Sequence, residues 1–175
     1  MKNKKLLLGI AWAWLTCLSA NAEVKLPAFF SDGMVMQQQT RANLWGTATP
    51  NASVKITTSW DKQTYKTTAD AKGAWKLALS TPSAGGPYTI TFDDGKLTEI
   101  RDILMGELWL CSGQSNMEMP MKGFKNQPVE NSNTDVMNSR NPQLRLFTVK
   151  RSSSFTPKTD VVGTWQEAVP ATVRE

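Results

Sequence analysis

Between residues 40 and 101 the chain alternates apolar and polar residues in short runs broken by turn residues, and a period of two restricts such a region to β-structure. Val54, Ile56 and Thr58 oppose Lys55, Thr57 and Ser59, and Trp75, Leu77 and Leu79 oppose Lys76, Ala78 and Ser80. The pattern predicts half-buried antiparallel strands at residues 42–46, 53–60, 63–68, 74–79 and 88–92. Their separators are turn-formers: Thr49-Pro50-Asn51, Asp61-Lys62, and the segments 70–73, 82–87 and 93–95. The expected fold here is a small immunoglobulin-like β-sandwich over 40–101, preceded by an extended lead-in at 23–39 with an Asp32-Gly33 turn. No Cys-Trp-Cys pattern is present, so the likeness is to the architecture only. Trp45, Trp60, Trp75, Tyr65 and Tyr88 read as core and edge packing rather than as a sugar-stacking platform, because Trp45 and Trp75 take inward positions.

After Asp102 the pattern changes. Leu108-Trp109-Leu110-Cys111 is a continuous apolar run, which predicts a strand covered on both faces, as in a parallel α/β sheet. A second such run lies at 144–149 beyond a long polar segment, and two buried strands with a long crossover are the start of a parallel sheet. The fold class expected is therefore mixed β and α/β, with a second domain opening at 102 and reaching 175.

Residues 1–22 have a Lys-rich start, an apolar stretch from Leu6 to Leu18 and Ala20-Asn21-Ala22, the pattern of a secretory signal peptide. About 13 apolar residues fall short of the ~20 that span a bilayer. Cleavage after Ala22 predicts an exported protein, periplasmic or extracellular, without stable membrane insertion. Removing this segment leaves 17 basic against 15 acidic residues and Cys111 as the single cysteine. That excludes an intramolecular disulfide, and Cys111 reads as a small apolar residue inside its strand. No dense basic patch interleaves with aromatics, so no nucleic-acid partner is expected. With no histidine and one mature cysteine a usual zinc site cannot be built, and no phosphate-binding glycine loop occurs. Neither metal nor cofactor is expected.

The apolar run is followed at once by Ser112-Gly113-Gln114-Ser115-Asn116, which sets a hydroxyl just past a strand end, where ligands of α/β sheets bind. Ser115 is the candidate nucleophile. The pentapeptide Gly113-Gln114-Ser115-Asn116-Met117 is not the G-x-S-x-G elbow, since Met117 stands at the second glycine position. Taken by itself it is a weak signal, since a serine in such a turn is usually an ordinary turn serine.

Longer blocks add to this. Leu26-Pro27-x-x-Phe30-Ser31-Asp32-Gly33-Met34-Val35-x-Gln37, Trp45-Gly46, Gly73-x-Trp75, Gly85-Gly86-Pro87-Tyr88 and the run from Gly106 through Glu118 together resemble the sialate O-acetylesterase family. The resemblance runs from about Leu26 to Glu175. It implies a flavodoxin-like SGNH hydrolase domain beginning at 102, and a carbohydrate esterase that removes O-acetyl groups from sialic acids or related sugars. It also implies that Ser115 is the nucleophile and that its backbone N–H faces the oxyanion. Gly113 would let the turn approach the substrate, while Gln114 and Asn116 would flank the nucleophile and hold the turn. The family's base is a histidine oriented by an aspartate, and this chain has none, so Ser115 cannot be activated from within it. Asp135, Asp160 and Glu118 have no spacing that suits a base. The expectation is an amino-terminal fragment of an esterase, inactive alone; the alternative is a secreted, non-catalytic β-sandwich carbohydrate-binding module.

Overall fold

The computed structural model of the protein describes residues 23–174. The expected signal peptide, residues 1–22, lies outside the described residues. Strands β1 (Val35–Gln37), β2 (Arg41–Thr47), β3 (Ser53–Thr58), β4 (Thr64–Thr68), β5 (Ala74–Ser80), β6 (Gly85–Asp93) and β7 (Leu97–Gly106) follow one another; β2 to β6 fall on the alternating runs, while β1 and β7 add two strands that the alternation does not predict. In β3 the alternation is exact in burial: Val54, Ile56 and Thr58 are buried and their neighbours are exposed. β6 starts at Gly85, inside the segment expected to be a turn, and continues through a cis Gly86–Pro87 bond.

A five-stranded sheet of order β1-β7-β6-β3-β4 faces a two-stranded ribbon, β2 with β5. All pairings are antiparallel except β1 with β7, which is parallel and registers Gln37 against Gly106. The sheet therefore has a mixed character that an all-antiparallel sandwich lacks. Between the layers lie Val54, Ile56, Ile90, Phe92, Ile103 and Met105 from the sheet and Leu44, Trp75 and Leu79 from the ribbon. Each such side chain stabilises by roughly 1.5–3 kcal/mol when fully buried, and Met34 of the lead-in joins them. β7 runs unbroken through residues 101 and 102, where the second domain is expected to open.

Past β7 the structure departs from expectation. The run Leu108–Cys111 is not a strand: Trp109 is 81% and Leu110 92% exposed, and Cys111 is an exposed thiol rather than a strand interior residue. A strand needs a ladder partner for its N–H and C=O groups, and the pairing of β1 with β7 ends at Gln37 and Gly106. Four apolar residues satisfy the pattern without supplying that partner. Nor does the second run join a parallel sheet. It forms β8 (Asn141–Phe147), which pairs antiparallel with β9 (Trp165–Ala168). Three short helices complete this part: α1 (Ser115–Glu118), α2 (Ser132–Met137) and α3 (Pro170–Val173). Among the described residues beyond Met105, Ala168 is the one apolar residue that is fully buried. This part thus has almost no core of its own and is held by docking.

The docking is aromatic and polar. Phe29 of the lead-in packs against Phe147 and Trp165 at ring-centroid distances of 5.5 and 5.3 Å, while Phe30 meets Trp45 edge-on at 4.6 Å. Trp165 Nε1 donates to the Phe29 carbonyl at 2.8 Å, Trp45 Nε1 to that of Thr159 at 2.9 Å, and the Ala28 amide to Asp160 Oδ1 at 2.8 Å. Arg145, with a side chain 6% exposed, reaches Asp102 Oδ2 at 2.6 Å and Glu167 Oε1 at 3.5 Å. Within β7, Asp102 adopts φ 55°, and its carboxylate meets that guanidinium. The Asp32-Gly33 turn serves the same joint: Asp32 Oδ1 accepts the Arg101 amide at 2.7 Å. Gly33 lies at φ +78°, and a Cβ there would stand 3.1 Å from Arg145 Nη1.

Candidate active site

Ser115 is the first residue of α1, so the strand-then-turn placement read from the sequence becomes an extended segment, a turn and then a short helix. The turn closes through the Met117 amide, which donates to the Gln114 carbonyl at 2.9 Å. Gln114 supplies this contact from its main chain. Among the described residues no hydrogen bond is made by the side chains of Gln114, Ser115 or Asn116, and all three residues are exposed. At Gly113 a Cβ would lie 2.8 Å from Met117 Cγ, so the missing side chain lets α1 fold back over the turn.

Two carboxylates bracket this segment. On the far side, Glu118 forms an ion pair with Arg151, which ties α1 to the chain that follows β8. On the near side, Glu107 accepts Gln37 Nε2 at 3.0 Å and Gln38 Nε2 at 2.8 Å. Those two hydrogen bonds hold the Glu107 pKa below the ordinary carboxylate range. The same glutamines accept with their other ends: Gln37 Oε1 takes the Leu108 amide at 2.9 Å, and Gln38 Oε1 the Ala84 amide at 2.7 Å. Gln37, Gln38, Glu107, Asp102 and Arg145 were not singled out from the sequence. The available signal was that Gln37 and Glu107 both fall inside the blocks that carry the family resemblance.

Of the other two carboxylates weighed as a base, one has structural employment and, among the described residues, one does not. Asp160 Oδ1 accepts the amides of Ala28 and Val161. Asp135 lies exposed on α2. A concavity of about 510 Å³ lies elsewhere, lined by Leu26, Phe30, Asp32, Glu99 and Trp165 among others, and Ser115 is not part of it. The aromatic pairs are edge-on or tilted, as with Trp60 and Tyr88 at 73°, and none offers a stacked platform for a sugar ring. Among the described residues, the arrangement thus presents an exposed hydroxyl on an open turn with no base hydrogen-bonded to it.

No family model matches the chain. It is 30% identical to a sialate O-acetylesterase of Pongo abelii over 154 residues, which are 82% of this chain and 29% of that protein. It is 32% identical to a sialate O-acetylesterase of Homo sapiens over 131 residues, 69% of this chain and 25% of that one. A solved structure of a carbohydrate acetylesterase from Xanthomonas citri aligns with a TM-score of 0.79 at 34% identity, covering 87% of this chain and 34% of that chain. The chain therefore spans between a quarter and about a third of the length of these relatives.

Proposed function

The chain belongs to the sialate O-acetylesterase family of carbohydrate esterases, and from that membership we propose that it carries the serine nucleophile of an enzyme that removes O-acetyl groups from sialic acids or related sugars. The observation that carries this is the Gly113-Gln114-Ser115-Asn116 turn, which opens a short helix with the Ser115 hydroxyl exposed and, among the described residues, without a hydrogen-bond partner. Ser115 Oγ attacks the acetyl carbonyl carbon, its proton passes to a base, and the sugar oxygen leaves protonated. Water then hydrolyses the acetyl-serine and frees acetate. The Ser115 backbone N–H is the oxyanion donor offered by this chain.

The base is not among these residues, because the sequence contains no histidine. A positioned acid–base group contributes about 10²–10⁴-fold, so the 175 residues alone are an inactive or barely active part of the esterase. The chain beyond β7 is the opening of a flavodoxin-like SGNH domain, the part from the lead-in through β7 a β-sandwich, and residues 1–22 an export signal whose removal leaves Glu23 first. Amino-terminal sequencing of the secreted protein reads that cleavage directly.

Where the coding sequence continues in frame into a histidine-bearing region, a fluorophosphonate labels the protein, and its Ser115→Ala version stays unlabelled. Equal labelling of the two removes Ser115 as nucleophile. A second reading, a secreted β-sandwich carbohydrate-binding module that does not catalyse, draws on the concentration of the buried core before residue 106. Retention on immobilised O-acetylated sialoside together with absence of labelling in the extended protein selects it.

A further inference from the structure

We propose that Gln37, Gln38 and Glu107 form a latch by which the β-sheet positions the segment carrying Ser115, making them positioning residues for the acyl transfer; this rests on the reading of Ser115 as nucleophile. The parallel ladder of β1 and β7 ends at Gln37 and Gly106, with a last main-chain bond from the Gln38 amide to the Gly106 carbonyl at 2.9 Å. Where the ladder stops, side chains take over. Gln37 grips both the Glu107 carboxylate and the Leu108 amide, so one side chain spans the turn from the sheet into the exposed segment. Gln38 grips the same carboxylate and the Ala84 amide, bringing in the chain just before β6. Below, the Thr81 hydroxyl donates to the Gln37 carbonyl at 2.7 Å, which fixes the backbone from which Gln37 projects.

The latch is the last anchor before the nucleophile. From Trp109 to Asn116, among the described residues, no main-chain amide donates to another backbone group, and the next hold is the Met117 amide on Gln114. The direction in which the chain leaves the sheet is thus decided at Leu108. Both amide ends of each glutamine are used, and reversing either amide would turn a donor toward a backbone N–H and an acceptor toward a carboxylate. The arrangement therefore has one satisfied orientation. The groups facing Glu107 are neutral amides, and its lowered pKa is owed to them.

Amide hydrogen exchange at Leu108, read as a protection factor in this chain, tests the latch without reference to catalysis. Glu107→Gln replaces one acceptor by a donor facing a donor, and Leu108 is expected to lose about tenfold or more of its protection, a loss typical of a hydrogen bond to a charged group. Ile56 and Ile90 in the core stay as they were. In the parent protein protection at Leu108 falls as the pH drops through the depressed Glu107 pKa, because the folded contact favours the carboxylate. Gln37→Glu should invert that profile: two carboxylates repel at neutral pH and share a proton in acid, so protection rises as the pH falls. Unchanged Leu108 exchange in Glu107→Gln, equal losses at Ile56 and Ile90, or a parent-like pH profile in Gln37→Glu each overturns the proposal. Ser115→Ala leaves all these readings unmoved, so a failure of the nucleophile assignment shows in labelling and a failure of the latch shows here.

Discussion

Single residues in this chain divide by what surrounds them, and the glycines show it. Gly106 and Gly113 flank the same exposed segment and both lie in the block that resembles the esterase family. A Cβ on Gly106 would meet nothing within 4 Å, whereas one on Gly46 would stand 2.5 Å from the Lys25 carbonyl oxygen and 2.9 Å from the Trp75 ring. Gly46 is where β2 accepts the lead-in, through the paired bonds of Lys25 and Thr47. Backbone cannot yield as a flexible side chain does, so Gly46→Ala is expected to cost roughly 1–3 kcal/mol as an overpacked site. Gly106→Ala should fall within about 0.5 kcal/mol of the parent. Urea denaturation of the pair reads the contrast, and equal midpoints sink the steric account. The distinction was not legible in the sequence, where both are glycines in recognisable motifs. The exposure of Ser115 was legible, because it depends on a local turn of small and polar residues that no distant contact overrides.

Elements were legible to the extent that burial is periodic along them. β2 to β6 fall on alternating runs, and β3 and β4 form a hairpin in register from Ser53 against Thr68 to Thr57 against Thr64. What closes that hairpin is Asp61, whose carboxylate accepts the Thr58 hydroxyl, the Gln63 amide at 2.9 Å and the Tyr65 hydroxyl at 2.7 Å. Desolvation pushes the Asp61 pKa up, but these donors together outweigh it and hold the group below its ordinary value; Tyr65 is held above its own, first by the bond to Asp61. A carboxylate with a depressed folded pKa stabilises above the unfolded value and loses that contribution as the pH falls through the folded one. Asp61→Asn should therefore lower stability by about 1 kcal/mol at neutral pH, the charge-assisted figure reduced for its partial exposure. The gap to the parent should close in acid, and a pH-independent gap in denaturation midpoints would count against it. The runs at 108–111 and 144–149 misled for the complementary reason. Uninterrupted apolar residues carry no period, so they do not tell a doubly covered strand from an exposed segment or from one arm of an antiparallel pair.

For the molecule as a whole, the decisive fact is the unequal distribution of core. The sheet and its ribbon bury their own residues, while the chain from Glu107 onward is held by the seam of Phe29, Phe147, Trp165 and the Arg145 ion pairs. The seam draws on the lead-in, for which the residues alone suggest only an extended connection with a turn. Phe29 and Trp165 are 136 positions apart, and such a pairing has no local signature. Trp165→Ala removes two aromatic contacts and the bond to the Phe29 carbonyl, a change of roughly 3–5 kcal/mol were the ring fully buried and less here because it is partly exposed. The expected consequence is not global unfolding, since none of the sheet's core residues depends on Trp165 for its strand pairing. Limited proteolysis should cut the variant within residues 108–165 well before the parent and leave a resistant fragment containing β1 to β7. Loss of that fragment at the same rate would mean that the two parts stabilise each other as one cooperative unit. If it survives, the Ser115 segment is held on one side by the latch and on the other by the docked chain through the Glu118–Arg151 pair. Its placement would then depend on the seam although, among the described residues, no hydrogen bond, ion pair or ring contact joins it to Phe29, Phe147, Trp165 or Arg145.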